Sequence, residues 1–115
     1  MESDCIFCGI VARRRPATIV YQDVAVTAFR DQNPKAPVHV LLVPNRHIVG
    51  AFQLEPEDAE NVGRMFLAAK EVARAEGLEA GGYRLVVNSG PDAGQSVFHF
   101  HLHLLGGRRM GWPPG

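Results

Sequence analysis

A chain of 115 residues is long enough for one packed domain with a core of its own, and 46% hydrophobic with 21% charged residues is ordinary for a soluble globular protein. Twelve basic residues balance twelve acidic ones, so the chain lacks the basic surplus that an electrostatic nucleic-acid binder needs. No apolar stretch approaches the roughly 18 residues of a membrane span, and "MESDCIFCG" has neither the cationic start nor the apolar run of a leader, so a cytosolic chain with reduced cysteines is expected.

The first element of note is "CIFC", which pairs Cys5 with Cys8. Spacing alone leaves three readings open: half of a zinc site, a redox motif, or two small buried residues. The redox motif belongs to a βαβ context, which this sequence does not show. Arg13, Arg14 and Arg15 run into Pro16 and read as a solvated turn rather than a phosphate grip. "TIVYQD" (18–23) and "VAVTAFRD" (24–31) predict a hairpin turning near Asp23. "NPKAP" breaks the chain, and "VHVLLVP" (38–44) predicts a strand ended by Pro44. Residues 55–78 predict one long helix. Pro56 suits its first turn, Glu57 and Asp58 suit the positive end of its dipole, and Gly77 suits its stop. Ala59, Val62, Met65, Phe66, Ala69, Val72 and Ala73 follow helical spacing and predict its buried stripe. "YRLVVNS" (83–89) predicts a strand and "GPDAGQS" (90–96) a loop. Strands gathered around one long helix predict an α+β domain, residues 1–115, with an antiparallel sheet.

"HFHLHLL" (99–105) holds three of the five histidines. Alternation with period two predicts a strand with His99, His101, His103 and Leu105 on one face and Phe98, Phe100, Leu102 and Leu104 buried on the other. Side chains two apart on a strand lie about 7 Å apart, so His99 and His103 are separated by about 13–14 Å. A straight row of this length cannot close on one metal. It suits an extended job, with a metal at one end and a phosphate at the other. Gly90 and Gly94 just before it allow a loop that turns backbone N–H groups toward an anion, with Asn88 and Ser96 adding hydrogen-bond capacity. Imidazole titrates near pH 6.5, so one ring can be neutral and nucleophilic while another is cationic, a division that fits phosphoryl or nucleotidyl transfer.

With these residues in view, "GQSVFHFHLHLLGG" resembles the signature of the histidine-triad (HIT) family of nucleotide hydrolases and transferases, and "MGWPPG" resembles the ending of its Hint branch. "CIFCGIV", "FRDQNPKAPVHVLLVPNRHI" and "GYRLVVNSG" follow in the family's order, so the resemblance covers nearly the whole chain. It implies a sheet of about five strands with a long helix and a short N-terminal helix, pairing into a two-fold dimer, with the tail reaching toward the partner's site. It implies hydrolysis of purine nucleoside 5′-phosphoramidates through a nucleotidyl-histidine. The runner-up is a dinucleoside polyphosphate hydrolase, and a nucleotide-binding or scaffolding module is a third reading.

The implied roles fall residue by residue. His101 attacks the α-phosphorus and His103 contacts the phosphate, while His39 and Ser96 serve the leaving side. Phe7, Ile10 and Phe29 line the base slot, and Asp31 takes the ribose hydroxyls. Asn88, Gly94, Gln95 and Ser96 surround the phosphate. Gln32 stands where relatives often carry an aliphatic residue. Cys5, Cys8, His47 and His99 form a structural zinc site of the closed, four-ligand type, and catalysis itself needs no metal.

Overall fold

The computed structural model describes residues 4–115; the leader expectation also rests on residues 1–3, which lie outside the described residues. Chain order is α1 (Ile6–Val11), β1 (Ile19–Gln22), β2 (Val26–Arg30), β3 (Val38–Pro44), two 3₁₀ turns, α2 (Ala59–Ala75), β4 (Tyr83–Val86) and β5 (Leu102–Gly106). The five strands pair antiparallel in the order β1-β2-β3-β5-β4. The α+β class, the five-stranded sheet, the long helix and the short N-terminal helix are all as expected.

Register divides the sheet into two faces. His103 stands opposite Leu41 on β3 and Val86 on β4, while Leu102 stands opposite Leu42. One face therefore presents Val26, Ala28, Val40, Leu42, Leu102 and Leu104, and α2 seals it with Met65, Ala68, Ala69, Val72 and Ala73. That is the main core, and burying this apolar area is what holds sheet and helix together. The other face presents Phe29, Leu41 and Val43, covered by Phe7 and Ile10 of α1. Helix α1 is one and a half turns long and covers only part of this face. His39 and His103 stand on the remainder, beside Arg84 and Val86.

Local chemistry explains the boundaries. Asp23 turns the first hairpin, its Oδ1 accepting from the Ala25 and Val26 N–H groups at 2.8 Å each. The long helix is shorter than 55–78. Its first residues form a 3₁₀ turn, Pro56–Asp58, closed by a reciprocal Glu55/Asp58 capping box. Its stop is Gly77, which adopts a left-handed φ of +77° that only glycine takes without strain. Ala59 and Phe66 were expected in the buried stripe and instead face outward, Phe66 being 47% exposed. The predicted strand over 83–89 is regular only to Val86. The Arg13–Arg15 run is a solvated turn as read.

The histidine strand departs most from expectation. Only residues 102–106 are β-structure. Residues 99–101 lie outside the ladder, where the Phe100 N–H donates to the Ile48 carbonyl. The alternation of burial fails with it: Phe98 is 59% exposed, while Phe100 is buried as expected. Leaving the ladder frees the segment to turn His99 away from the direction of its two successors.

Candidate functional site

The C-x-x-C spacing acts through helix α1. Cys5 is its N-cap, with Sγ accepting from the Cys8 N–H at 3.4 Å, so both thiols sit at one helix end. His47 arrives from the loop after β3 and His99 from the segment before β5. The donor atoms of Cys5, Cys8, His47 and His99 all lie within 4.8 Å of one another. Cys5 Sγ is 3.3 Å from His99 Nδ1, Cys8 Sγ is 3.3 Å from His47 Nδ1, and Cys8 Sγ is 3.5 Å from His99 Nδ1. A tetrahedral zinc ion, with bonds of about 2.3 Å to sulfur and 2.0–2.1 Å to nitrogen, spaces its S and N ligands about 3.6 Å apart. The donor set and the spacing both fit. His99 is fully buried, and its Nε2–H donates to the Pro44 carbonyl at 2.9 Å, which leaves the Nδ1 lone pair facing the thiols.

At the other end of the segment the imidazoles meet each other. His101 and His103 ring centres are 4.9 Å apart, and His39 and His103 are 5.2 Å apart. His101 Nδ1 lies 2.7 Å from the His99 carbonyl, so it carries the proton and Nε2 keeps a lone pair. His39 and His103 form a chain with a fixed direction. The backbone N–H of Lys35 donates to His39 Nδ1 at 3.0 Å. A neutral His39 therefore carries its proton on Nε2, which lies 2.9 Å from His103 Nδ1. His103 in turn holds its proton on Nε2 as a donor. Asp31 Oδ2 is 3.4 Å from the same His39 Nε2, and its Oδ1 accepts from the Asn33 N–H.

Burial pushes the His103 imidazole down to about 4, and the adjacent His101 and His39 rings add to the fall. Burial also holds His101 and His39 below the ordinary imidazole value, against an opposing pull from Asp31. Burial therefore favours the neutral form of all three rings in the unliganded chain, with Asp31 pulling the other way.

Two cavities meet at these rings. The first, about 310 Å³, is lined by Phe7, Ile10, Phe29 and Leu41, with Asp31 at its rim. The second, about 520 Å³, is lined by His39, Asn88, Gly94 and Gln95, together with Lys35, Arg84 and Arg108. Asp31, Asn33, Ser96, His101 and His103 border both. Every residue expected at the phosphate or the nucleoside therefore lines at least one of the two cavities. Phe7, Ile10 and Phe29 serve the core and a cavity wall at once.

The glycine loop differs from expectation in one respect. The Gly94 N–H donates to the Pro91 carbonyl and the Gln95 N–H to the Gly90 carbonyl. The loop spends those groups on its own closure, so only the Ser96 N–H among the three lacks a backbone acceptor in the described chain. The buried Gln95 side chain is committed too. Its amide donates to the Val49 and Val97 carbonyls and accepts from the Gly90 N–H. In the single chain, Met110 and Pro114 line the second cavity, and Trp112 is 81% exposed.

Sequence reasoning missed Lys35, Arg84 and Arg108. Arg84 shares the face of His103 because it precedes Val86 by two on β4. That signal is legible only once strand register is known.

A family model for the HIT domain matches residues 12–110, and the chain belongs to the HIT-domain family. It is 46% identical over 116 residues to the adenylylsulfatase HINT1 of Arabidopsis thaliana, covering 99% of this chain and 78% of that one. A HIT family hydrolase from Legionella pneumophila has the same fold with a TM-score of 0.95 and 47% identity, covering 97% of this chain and all of the other. A zinc-bound histidine triad family protein from Mycobacterium smegmatis matches with a TM-score of 0.82 and 34% identity, covering all of this chain and 82% of that one.

Proposed function

We propose that this protein is a cytosolic nucleotide hydrolase that cleaves purine nucleoside 5′-phosphoramidates at the α-phosphorus. One observation carries the reading: His101 has its Nδ1 proton fixed on a carbonyl and its Nε2 free, on the wall that two cavities share. Family membership and the names of its relatives support hydrolysis.

In the first step, His101 Nε2 forms a bond to phosphorus as the bond to the leaving amine breaks. The amine departs with a proton supplied through Ser96, His39 or an intervening water. In the second step, water attacks phosphorus, the bond to imidazole breaks, and the nucleoside monophosphate is released. The first cavity holds the nucleoside, with Asp31 accepting from the ribose hydroxyls and the base against Phe7, Ile10 and Phe29. His103 Nε2–H and the Ser96 N–H donate to the phosphoryl oxygens. Asn88, Gly94 and Gln95 shape the wall behind them.

Cys5, Cys8, His47 and His99 would hold zinc, which when bound would crosslink the N-terminal helix to both histidine-bearing segments. The zinc-bound mycobacterial relative supports this. A two-fold dimer would use α2, where Phe66 and Leu67 are exposed, and the edge strand β4. Light scattering at micromolar concentration should give twice the chain mass, and a monomer would refute the pairing.

P–O cleavage is the second reading, favoured by the Arabidopsis relative's name as an adenylylsulfatase. It covers dinucleoside polyphosphates as well as adenylyl sulfate. Assaying adenosine phosphoramidates beside dinucleoside polyphosphates, with products identified, decides between them. Faster turnover of the polyphosphates would overturn the phosphoramidate assignment.

A further inference from the structure

The second cavity has a charge character that its catalytic neighbours do not explain. Lys35, Arg84 and Arg108 line it, against a single acid, Asp31. The whole chain is charge-balanced, so this is a local concentration. Four arginines elsewhere are spoken for: among the described residues Arg30, Arg46, Arg64 and Arg74 each make an ion pair with a carboxylate, and the remaining contact of that kind is the neutral His39 ring against Asp31. None of Lys35, Arg84 and Arg108 pairs with a carboxylate in that set. They are instead held in place by backbone carbonyls. Arg108 Nη2 donates to the Lys35 carbonyl at 3.0 Å, and Arg84 Nη2 donates to the Gly111 carbonyl at 2.8 Å. Lys35 Nζ donates to the Asn33 carbonyl at 2.7 Å. The Arg84 guanidinium also lies 5.9 Å from the centre of the Trp112 ring. Carbonyls and a ring face orient these cations without neutralising them. They remain available to an anion, and part of the ordering cost is met before one arrives.

We infer that the second cavity recognises the anionic end of the leaving group, as in a carboxylate-bearing amine attached to the α-phosphorus of the nucleotide, through Lys35, Arg84 and Arg108. This rests on the reading of the site as a nucleotide hydrolase. The nucleoside takes the apolar cavity, and the α-phosphorus sits at His101. The group that departs is then directed into a cavity beside His101 where positive charge outnumbers negative three to one. The arrangement also has a consequence for turnover. Lys35 and Arg108 are exposed and Arg84 is half-buried, so an anion held by them is screened by salt, gripped enough to orient and released readily.

The test uses two substrates that differ only in charge: adenosine 5′-phosphoryl-β-alanine, joined through its amine, and the corresponding β-alaninamide. Their kcat/KM ratio is measured for the intact protein, for Arg84→Gln/Arg108→Gln and for Arg84→Glu/Arg108→Glu. Intrinsic differences in amine basicity cancel when ratios are compared between variants. The expected ratio, acid over amide, falls about fivefold or more from the intact protein to the glutamine variant. It falls further in the glutamate variant, and Arg84→Lys/Arg108→Lys restores it. The difference also shrinks in 0.5 M salt, a change that a merely structural role would not produce. An unchanged ratio across the four proteins overturns the inference. If the intact protein cleaves neither compound, the hydrolase reading fails on its own account. Calorimetric Kd values for the two compounds on the same proteins then decide the charge preference separately.

Discussion

Two groups of imidazoles lie on either side of one short segment, and the same side chain does different work in each. At the His99 end, both histidines aim Nδ1 at thiols, and the far nitrogen of His99 is tied to the Pro44 carbonyl. At the His103 end, imidazole bonds imidazole, in a chain that starts from the Lys35 N–H. The first arrangement gathers lone pairs toward a common point, as a metal requires. The second alternates donor and acceptor and ends in a single N–H, as proton and phosphate handling requires. What differs is the partner of the second ring nitrogen, which decides where the first one carries its proton. His101 packs against His103 but is oriented from the metal end. Its Nδ1 is fixed by the carbonyl of His99, so the metal end orients the nucleophile through one peptide group.

The largest expected effects separate the two groups cleanly. His101→Ala should lower the single-turnover rate by about a thousandfold or more, while AMP binding and the thermal midpoint change little. Loss of AMP binding along with rate would mean that the residue holds the nucleotide rather than attacking it. Cys5→Ser/Cys8→Ser should remove zinc, read by elemental analysis, and lower the thermal midpoint by about 10 °C or more, because binding free energy of a structural metal is partly folding free energy. A fully folded, reduced sample of the intact protein without zinc would end the metal assignment.

The His39–His103 chain should respond more mildly. His39→Asn removes the donor to His103 Nδ1, and we expect a loss of about ten- to a hundredfold in kcat/KM with zinc content unchanged. The pH response follows from burial. A ring held near 4 when folded takes up its proton more readily when unfolded, where its value is about 6.5. Its contribution to stability is complete above about pH 6.5 and is lost as pH falls toward 4. Stability of His103→Gln should therefore fall less steeply than that of the parent across this window, in urea titrations at stepped pH. Parallel slopes would contradict the neutral ring. Smallest of all, Glu71→Gln breaks an exposed i,i+3 pair with Arg74 remote from both groups and should leave the urea midpoint nearly unchanged.

Much of this was legible in the sequence because it is carried by local spacing. The C-x-x-C interval places two thiols on one helical turn, and the run of histidines two apart marks a site with two ends. The α2 stop at Gly77 and the hairpin at Asp23 are equally local. What the sequence hid depends on contacts between distant segments. Alternation alone predicted a strand through His99. The bond from Phe100 to Ile48 instead holds that segment outside the ladder. The loop glycines suggested N–H groups aimed at an anion, yet two of those groups close the loop itself. Arg84 and Arg108 carried no signal, since an arginine on a strand or in a tail reads as a solvated charge until the fold places it on the cavity that His103 also lines.

The central claim is that His101, and neither His103 nor His39, carries the nucleotide between the two steps. Rapid quenching in base, where a phosphorylated imidazole survives, followed by peptide mass mapping tests it directly. The account predicts a nucleotidyl group on the peptide containing residues 99–103, with fragmentation placing it on His101 and nothing in His101→Ala. An adduct on His103, or inversion of configuration at phosphorus with no adduct at any time point, would contradict it.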